Sequence, residues 1–231
     1  MQNNERIQDI LGLLYENGRV TVTGLSKTLY VSEMTIRRDL VEMENAGYIK
    51  RFRGGAMLKS DAREMPINER MLIDRDEKKA LCEKCEKYLK DNLVVFIDSS
   101  STCLYLIPYL RKFKDILLVT NSVKALTNAT AYRIPTILIG GEYYEQDMCM
   151  VGSLAESYAR DLNVDVAFMT TAAYSLGGVI SDFDLKQTAV RKNIIKNAKQ
   201  TVFLFEKNKV GKKLTYTLCR KEDITEVITI D

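Results

Sequence analysis

Histidine is absent from all 231 residues of the chain. That excludes Ser-His-Asp and Cys-His nucleophile arrangements and every histidine-based metal site. A long hydrophobic run is missing too: nothing approaches the roughly 20 apolar residues of a membrane span, so no membrane partner is expected. The opening MQNNERIQDI also lacks the apolar core of a secretory signal. Charge of one sign is scarcely in excess, at a net +3, so the chain as a whole carries no electrostatic footprint of nucleic acid. Five cysteines, an odd number, without a leader read as a reduced, cytoplasmic protein. Cys82-Glu83-Lys84-Cys85 is a CxxC, but it has no second pair at zinc-ligand spacing and lies in a charged helical stretch. It reads as two incidental cysteines, and neither metal nor cofactor is expected.

What is present begins with Val31 to Ala56, VSEMTIRRDLVEMENAGYIKRFRGGA. Ser32 is suited to cap a helix. Ile36, Leu40 and Met43 then follow at i, i+4, i+7, the spacing of one buried stripe. With Ile36 at the centre of that stripe, Met34, Thr35 and Arg38 fall on the opposite side and Arg37 on the flank. A short helix with Thr and Arg on its free face suits the DNA major groove, where Arg pairs with guanine or grips phosphate.

Asn45-Ala46-Gly47 is a helix stop, and Tyr48 to Arg53 alternates apolar and basic residues, as a strand does. With Gly54-Gly55 as the turn, this predicts a β-wing whose Lys50, Arg51 and Arg53 lie along a phosphate backbone. From Met34 to Lys59 the basic residues Arg37, Arg38, Lys50, Arg51, Arg53 and Lys59 outnumber the acidic Asp39, Glu42 and Glu44. The excess is local and sits where nucleic acid would meet it. Upstream, residues 3–16 predict an amphipathic helix with Ile7, Ile10, Leu11 and Leu14 on one side. A brief strand at Arg19 to Val22 follows, then a helix capped by Thr23 that buries Leu25 and Leu29.

Ser32-x-x-Thr35-Ile36-Arg37-Arg38-Asp39-Leu40, then Gly47 and Arg51-x-x-Gly54-Gly55-Ala56, with Glu5-Arg6-Ile7 and Leu25-Ser26 upstream, resembles the DeoR-type bacterial transcriptional regulators. The resemblance implies a winged helix-turn-helix over residues 1–57. It implies double-stranded operator DNA as partner and a homo-oligomer, dimer or tetramer, with Ser32, Met34, Thr35, Arg37, Arg38, Lys50, Arg51 and Arg53 at the interface.

Residues 58–76 read as a linker, because Ser60 to Pro66 is polar and broken by proline. Glu77 to Lys90 is charged and helical, with Leu81, Cys85 and Leu89 in a line; it packs on the edge of the second domain or joins two subunits. From there to residue 231 apolar strands alternate with helices. The strands are Leu93 to Ile97, Ile116 to Val119, Pro135 to Ile139, Val164 to Met169, Thr201 to Phe205 and Val227 to Ile230. Such alternation means α/β, a parallel sheet covered on both faces, with ligands at the carboxyl ends of its strands. Pro108 falls inside the helix after the first strand and predicts a kink or a short first segment there.

Polar and small residues collect at those strand ends. Asp98-Ser99-Ser100-Ser101-Thr102 is a run of hydroxyls before a helix start, where backbone amides attract anions. Thr120-Asn121-Ser122 is a second shelf, Gly140-Gly141 lets a ligand approach the backbone, and Lys209 is placed to neutralise a phosphate or meet a sugar oxygen. This half is similar to the DeoR-type sensor domain, related in fold to ribose-5-phosphate isomerase and coenzyme A transferases. By that resemblance these residues match the family's phosphate loop, TNS shelf, GG turn and D-x-x-K lysine, and a phosphorylated sugar or related metabolite is implied as effector. The chain departs from the pattern at Ser100, at Met169 to Tyr174, at Glu206 for Asp and at Gln187 for Glu.

Three functions remain open at this point: a regulator, most simply a repressor of a carbohydrate operon, tuned by a sugar phosphate; a sugar-phosphate isomerase with an attached DNA-binding module; and a regulator whose second domain only oligomerises. For the isomerase, Asp98, Glu142, Asp182, Glu206 and Lys209 are the available acid-base groups. The loss of glutamate at Gln187 argues against it, and no catalytic residue is assigned.

Overall fold

The computed structural model describes residues 3–58 and 65–230; Lys59 and residues 60–64 of the expected linker lie outside the described residues. The chain divides into two compact units, one ending at Asp74 and one beginning at Arg75.

The first unit opens with α1 (Asn3–Asn17), whose Ile10, Leu11 and Leu14 are fully buried. Then come β1 (Arg19–Thr21), α2 (Val22–Thr28) and α3 (Glu33–Asn45). β2 (Ile49–Phe52) and β3 (Gly55–Leu58) form the wing hairpin, and β3 lies between β1 and β2 in a three-stranded antiparallel sheet. Ile36, Leu40 and Met43 of α3 are buried as their spacing requires, in one core with Ile10, Leu25 and Ile49. Burying each large apolar side chain stabilises the unit by about 1.5–3 kcal/mol.

Two details differ from the sequence reading. The cap of α2 is Thr21, whose hydroxyl accepts from Gly24 N at 3.0 Å, because Val22 is buried and already helical. Thr23 instead donates to Glu33 Oε1 at 2.6 Å. Within the expected linker, Met65 and Ile73 are buried in the core of the first unit, and Pro66 stands as N-cap of the short α4 (Ile67–Arg70) instead of interrupting structure. The polar composition of the stretch masks its few apolar anchors. Gly55 is dictated by packing, since a Cβ there would lie 2.1 Å from Val20 O.

The second unit starts with α5 (Arg75–Lys84), which packs against the sheet edge strand and its neighbour, described next. The central sheet is parallel and uses β4 (Val94–Ile97), β5 (Leu117–Thr120), β6 (Thr136–Leu138), β9 (Val164–Met169), β12 (Ala198–Phe205) and β14 (Glu226–Thr229). Their order is β14-β12-β9-β4-β5-β6. The chain therefore leaves β4 toward β6, returns beside β4 at β9, and continues outward to β14. The direction reverses between β4 and β9.

Helices α7 (Val123–Ala131), α8 (Gly152–Asp161) and α9 (Leu185–Asn197) cover the sheet. Phe96, Met169, Phe203 and Phe205 pack with Ala155, Ala159, Val190 and Ile194 in its main core. Pro108 falls in the first turn of the four-residue α6 (Ile107–Leu110), preceded by a 3-10 turn at Cys103–Leu106, so the short first segment is realised. α5 also stops six residues short of the predicted helix end, and a 3-10 turn at Glu86–Tyr88 follows. Lys84 Nζ donates to Thr229 O at 2.9 Å and Tyr88 bonds Glu226, so this segment lies along the sheet edge.

Two small antiparallel pieces have no counterpart in the sequence reading. One is the hairpin β7 (Glu142–Tyr144) with β8 (Cys149–Val151); the other joins β10 (Ala173–Tyr174), β11 (Val179–Asp182) and β13 (Tyr216–Arg220). Their strands are two to five residues long and partly polar, too short for alternation to register.

Candidate functional site

The free face of α3 is built by its cap and its buried stripe. Ser32 Oγ accepts from Thr35 N at 3.2 Å and lies 2.9 Å from Thr35 Oγ1, fixing the first turn. Met34, Arg37 and Arg38 are exposed and Thr35 is half-buried. Arg37 is held by Glu33 at 3.0 Å, and Glu33 in turn by Thr23, so its guanidinium is oriented before any partner arrives. In the wing, Lys50, Arg51 and Arg53 are exposed, and Arg51 pairs with Glu44 at 2.7 Å.

The acidic count of the sequence reading needs revision, because Asp39 is not on the surface. It is fully buried and takes a two-pronged bond from Arg6 of α1, Nε to Oδ2 at 2.5 Å and Nη2 to Oδ1 at 2.9 Å. The pairing holds Arg6 above its ordinary pKa. Removing Asp39 from the tally leaves the exposed face of α3 and the wing more basic than the sequence count implies.

In the second unit, Asp98 follows β4, Asn121 follows β5, Gly140 and Gly141 follow β6, Thr170 follows β9 and Glu206 follows β12, all at the carboxyl edge. Asp98 and Thr170 flank the point where strand order reverses, and Thr170 N donates to Asp98 Oδ2 at 3.2 Å. Such a reversal is where open α/β sheets place ligands.

A buried polar network underlies that edge. Arg191 of α9 donates from Nε to Asp98 Oδ2, from Nη1 to Asp182 Oδ2 and from Nη2 to Gln187 Oε1, each at 3.0 Å. Burial opposes its charge, but Asp98 and Asp182 outweigh burial and raise its pKa. Gln187 Oε1 also accepts from Ser99 Oγ at 3.1 Å, and its Nε2 donates to Asp147. A second group surrounds Glu206, which accepts from Thr102 Oγ1 and pairs with Lys209 at 2.8 Å and Lys78 at 4.0 Å. Burial works against the Glu206 carboxylate, yet the two lysines and the hydroxyl hold its pKa down to about 2. Lys209 Nζ further reaches Thr170 Oγ1 at 3.3 Å, and its side chain is 18% exposed.

Several expected site residues have structural duties. Ser100 bonds Asp98 and accepts from Cys103 N at 3.2 Å, so Ser99, Ser100 and Thr102 all bond within the protein. The helix start expected after Thr102 is a 3-10 turn, not the amino end of a long helix. Thr120 Oγ1 accepts from Ser122 N, and Ser122 caps α7 through Ala125 N at 3.1 Å. Asn121 Nδ2 donates to Met150 O at 3.0 Å, and its buried Oδ1 has no protein donor among the described residues. Ser101 is buried in the same loop. Gly141 is close-packed, with Val151 O 2.6 Å from where its Cβ would be, whereas Gly140 borders open space.

Arg191 and Asp147 escaped the sequence reading. α9 turns the polar Gln187, Thr188 and Arg191 inward, so apolar periodicity gives no signal there.

A capped helix with a free basic face, a wing and a separate α/β unit whose polar strand ends converge define a DNA-binding transcriptional regulator with a sensor domain. The DeoR-like helix-turn-helix domain matches residues 6–62, and the DeoR C terminal sensor domain matches residues 73–230. The chain belongs to the DeoR family. It is 30% identical to the HTH-type transcriptional regulator GolR of Listeria innocua, over 97% of this chain and 89% of that one. It is 28% identical to the HTH-type transcriptional regulator IolR of Bacillus subtilis, over 91% and 85%. It is 25% identical to the lactose phosphotransferase system repressor of Staphylococcus aureus, over 99% and 92%. Ribose 5-phosphate isomerase A of Methanocaldococcus jannaschii is similar at a TM-score of 0.46 and 20% identity, over 61% of this chain and 56% of that one. Among the described residues no helix is long and apolar enough to cross a membrane.

Proposed function

We propose that the chain is a cytoplasmic repressor of a carbohydrate operon, acting as a homo-oligomer, whose operator binding is weakened when its second domain holds a phosphorylated sugar. The Staphylococcus aureus relative is by name a repressor of a sugar phosphotransferase system, which supports the repressor and carbohydrate parts. The single observation carrying the effector part is the gathering of Asp98, Asn121, Gly140 and Thr170, with the partly exposed Lys209, at the edge where strand order reverses. Lys209 supplies the cation for a phosphate, and the surrounding amide and hydroxyl groups supply contacts for sugar oxygens.

On DNA, Met34, Thr35, Arg37 and Arg38 read the groove while Lys50, Arg51 and Arg53 follow the backbone, with two copies spanning half-sites about one helical turn apart. Turnover is no part of this function. A general base must be free to take a proton, and Asp98 and Asp182 are tied to the buried Arg191 and Glu206 to Lys209 and the buried Lys78. Incubation with ribose 5-phosphate is expected to yield no ribulose 5-phosphate.

A second reading, in which the α/β unit only oligomerises, is favoured by one observation: the hydroxyls of Ser99, Ser100 and Thr102 are already bonded internally. A thermal-shift screen of sugar phosphates decides. A ligand that prefers the folded state raises the melting temperature. The same compound must release operator DNA in a gel shift, since regulation needs different affinity for the two states. No shift across the panel leaves the second reading standing.

A further inference from the structure

Among the described residues, Tyr30 and Met34 are the two most exposed large apolar residues of the first unit, at 94% and 78%. They lie four residues apart around the amino end of α3, and Arg37, Arg38, Lys50 and Arg53 are exposed on α3 and the wing of the same unit. Tyr30 also adopts φ +53, in the left-handed region. The reason is the turn that ends α2: Leu29 N donates to Leu25 O and Val31 N reaches back to Ser26 O at 3.2 Å. This closure places a left-handed residue directly after the helix cap, a position that favours glycine. A tyrosine there has an unfavourable backbone and, being exposed, recovers nothing by packing. Strained residues cluster at ligand-contacting sites, and of the left-handed non-glycine residues among those described (Tyr30, Asp74, Asn92, Asp115, Arg133 and Met148) Tyr30 alone is aromatic.

We propose that Tyr30 and Met34 form an apolar contact with duplex DNA beside the arginine face. Tyr30 lies against the sugar-phosphate backbone with its phenol donating to a phosphate oxygen, and the Met34 thioether covers a thymine 5-methyl group in the major groove. The occupant is duplex DNA because the flanking charge is basic, and because helix-turn-helix modules present the amino-terminal residues of this helix to base edges. The soft, flexible methionine side chain fits a methyl group, and thymine alone displays one in that groove. The inference rests on the DNA-binding reading of the first unit.

The test uses the full chain and a duplex enriched by it from a randomised pool. Tyr30→Gly is expected to raise the melting temperature by a few degrees, because glycine suits the turn, while weakening binding to the enriched duplex at least fivefold. Tyr30→Phe keeps the ring, loses the phosphate bond and falls between. Deoxyuridine in place of each thymine removes only the methyl group; at one position it weakens wild-type binding severalfold, and Met34→Ala abolishes that sensitivity. Full affinity in Tyr30→Gly overturns the tyrosine contact, and full affinity in Tyr30→Phe overturns its phosphate bond. Equal deoxyuridine sensitivity in Met34→Ala and wild type, or none in wild type, overturns the methionine contact. These outcomes are separable from failure of the underlying reading, in which the wild-type chain enriches no duplex and Arg38→Ala changes nothing.

Discussion

Gln187 shows how one side chain constrains its surroundings. Its carbonyl oxygen accepts from Ser99 and Arg191, and its amide nitrogen donates to Asp147, so a neutral amide satisfies every neighbour. Gln187→Glu would remove that donor and set a second carboxyl group against Asp147. We expect the variant to lose about 1–3 kcal/mol, the cost of an unsatisfied buried polar contact. Urea titrations of both proteins would check this, and equal midpoints would contradict it. On the free face of α3, Arg38 is exposed without an acidic partner in the described ion pairs, unlike Arg37 and Arg51. Arg38→Ala should cost about 10- to 100-fold in specific affinity, the value of a bidentate base contact. Lys50→Ala should instead lower the slope of log affinity against log salt by about one unit, for specific and random duplex alike. Gel-shift titrations over a salt series distinguish them, and an unchanged Arg38→Ala affinity would discredit its assignment.

Helices α1 and α3 are joined by the buried Arg6–Asp39 pair as well as by their apolar faces. Breaking one side of such a pair leaves an uncompensated buried charge. Asp39→Ala is therefore expected to destabilise the first unit by about 3–5 kcal/mol, whereas Arg6→Met with Asp39→Leu should restore most of that loss. Chemical denaturation of the single and double variants measures both, and a double variant as weak as the single one would contradict the account. This pair also marks where the sequence stops being legible. α3 is readable because Ser32, Ile36, Leu40 and Met43 repeat with helical period, and the parallel strands because Val94 to Ile97 and its counterparts are continuous apolar runs. Arg6 and Asp39 stand 33 residues apart, and Asp98 and Arg191 stand 93 apart. Charged residues carry no periodic mark of their burial, so only the fold reveals that they pair. The hydroxyl run at Ser99 to Thr102 was legible as a feature of the strand end, but its bonds to Gln187 and Glu206 depend on elements far along the chain. α9 was hidden for the same reason, having a polar buried face.

Taken whole, the α/β unit gathers its charged groups under one sheet edge, and its stability must follow their titration. Glu206 has a folded pKa of about 2, below the ordinary carboxylate value of 4.5. A depressed carboxylate contributes stability above its unfolded pKa and loses it as pH falls toward the folded value. The stability difference between wild type and Glu206→Gln should thus be full near pH 7, about 3 kcal/mol by linkage, and shrink between pH 4.5 and pH 2. Thermal melts of both proteins over that range test it; a difference that stays constant would show that the ion pairs with Lys209 and Lys78 are not its source. Under the proposed function this edge reports an occupant to the first unit, which presupposes that the first unit discriminates sequence at all. Equilibrium binding of the wild-type chain to its enriched duplex and to a shuffled duplex of equal composition, at one fixed salt concentration, examines that. The expected result is a preference of about a thousandfold or more for the enriched sequence, in the range of specific over non-specific DNA binding. Equal affinity for the two duplexes would contradict the account.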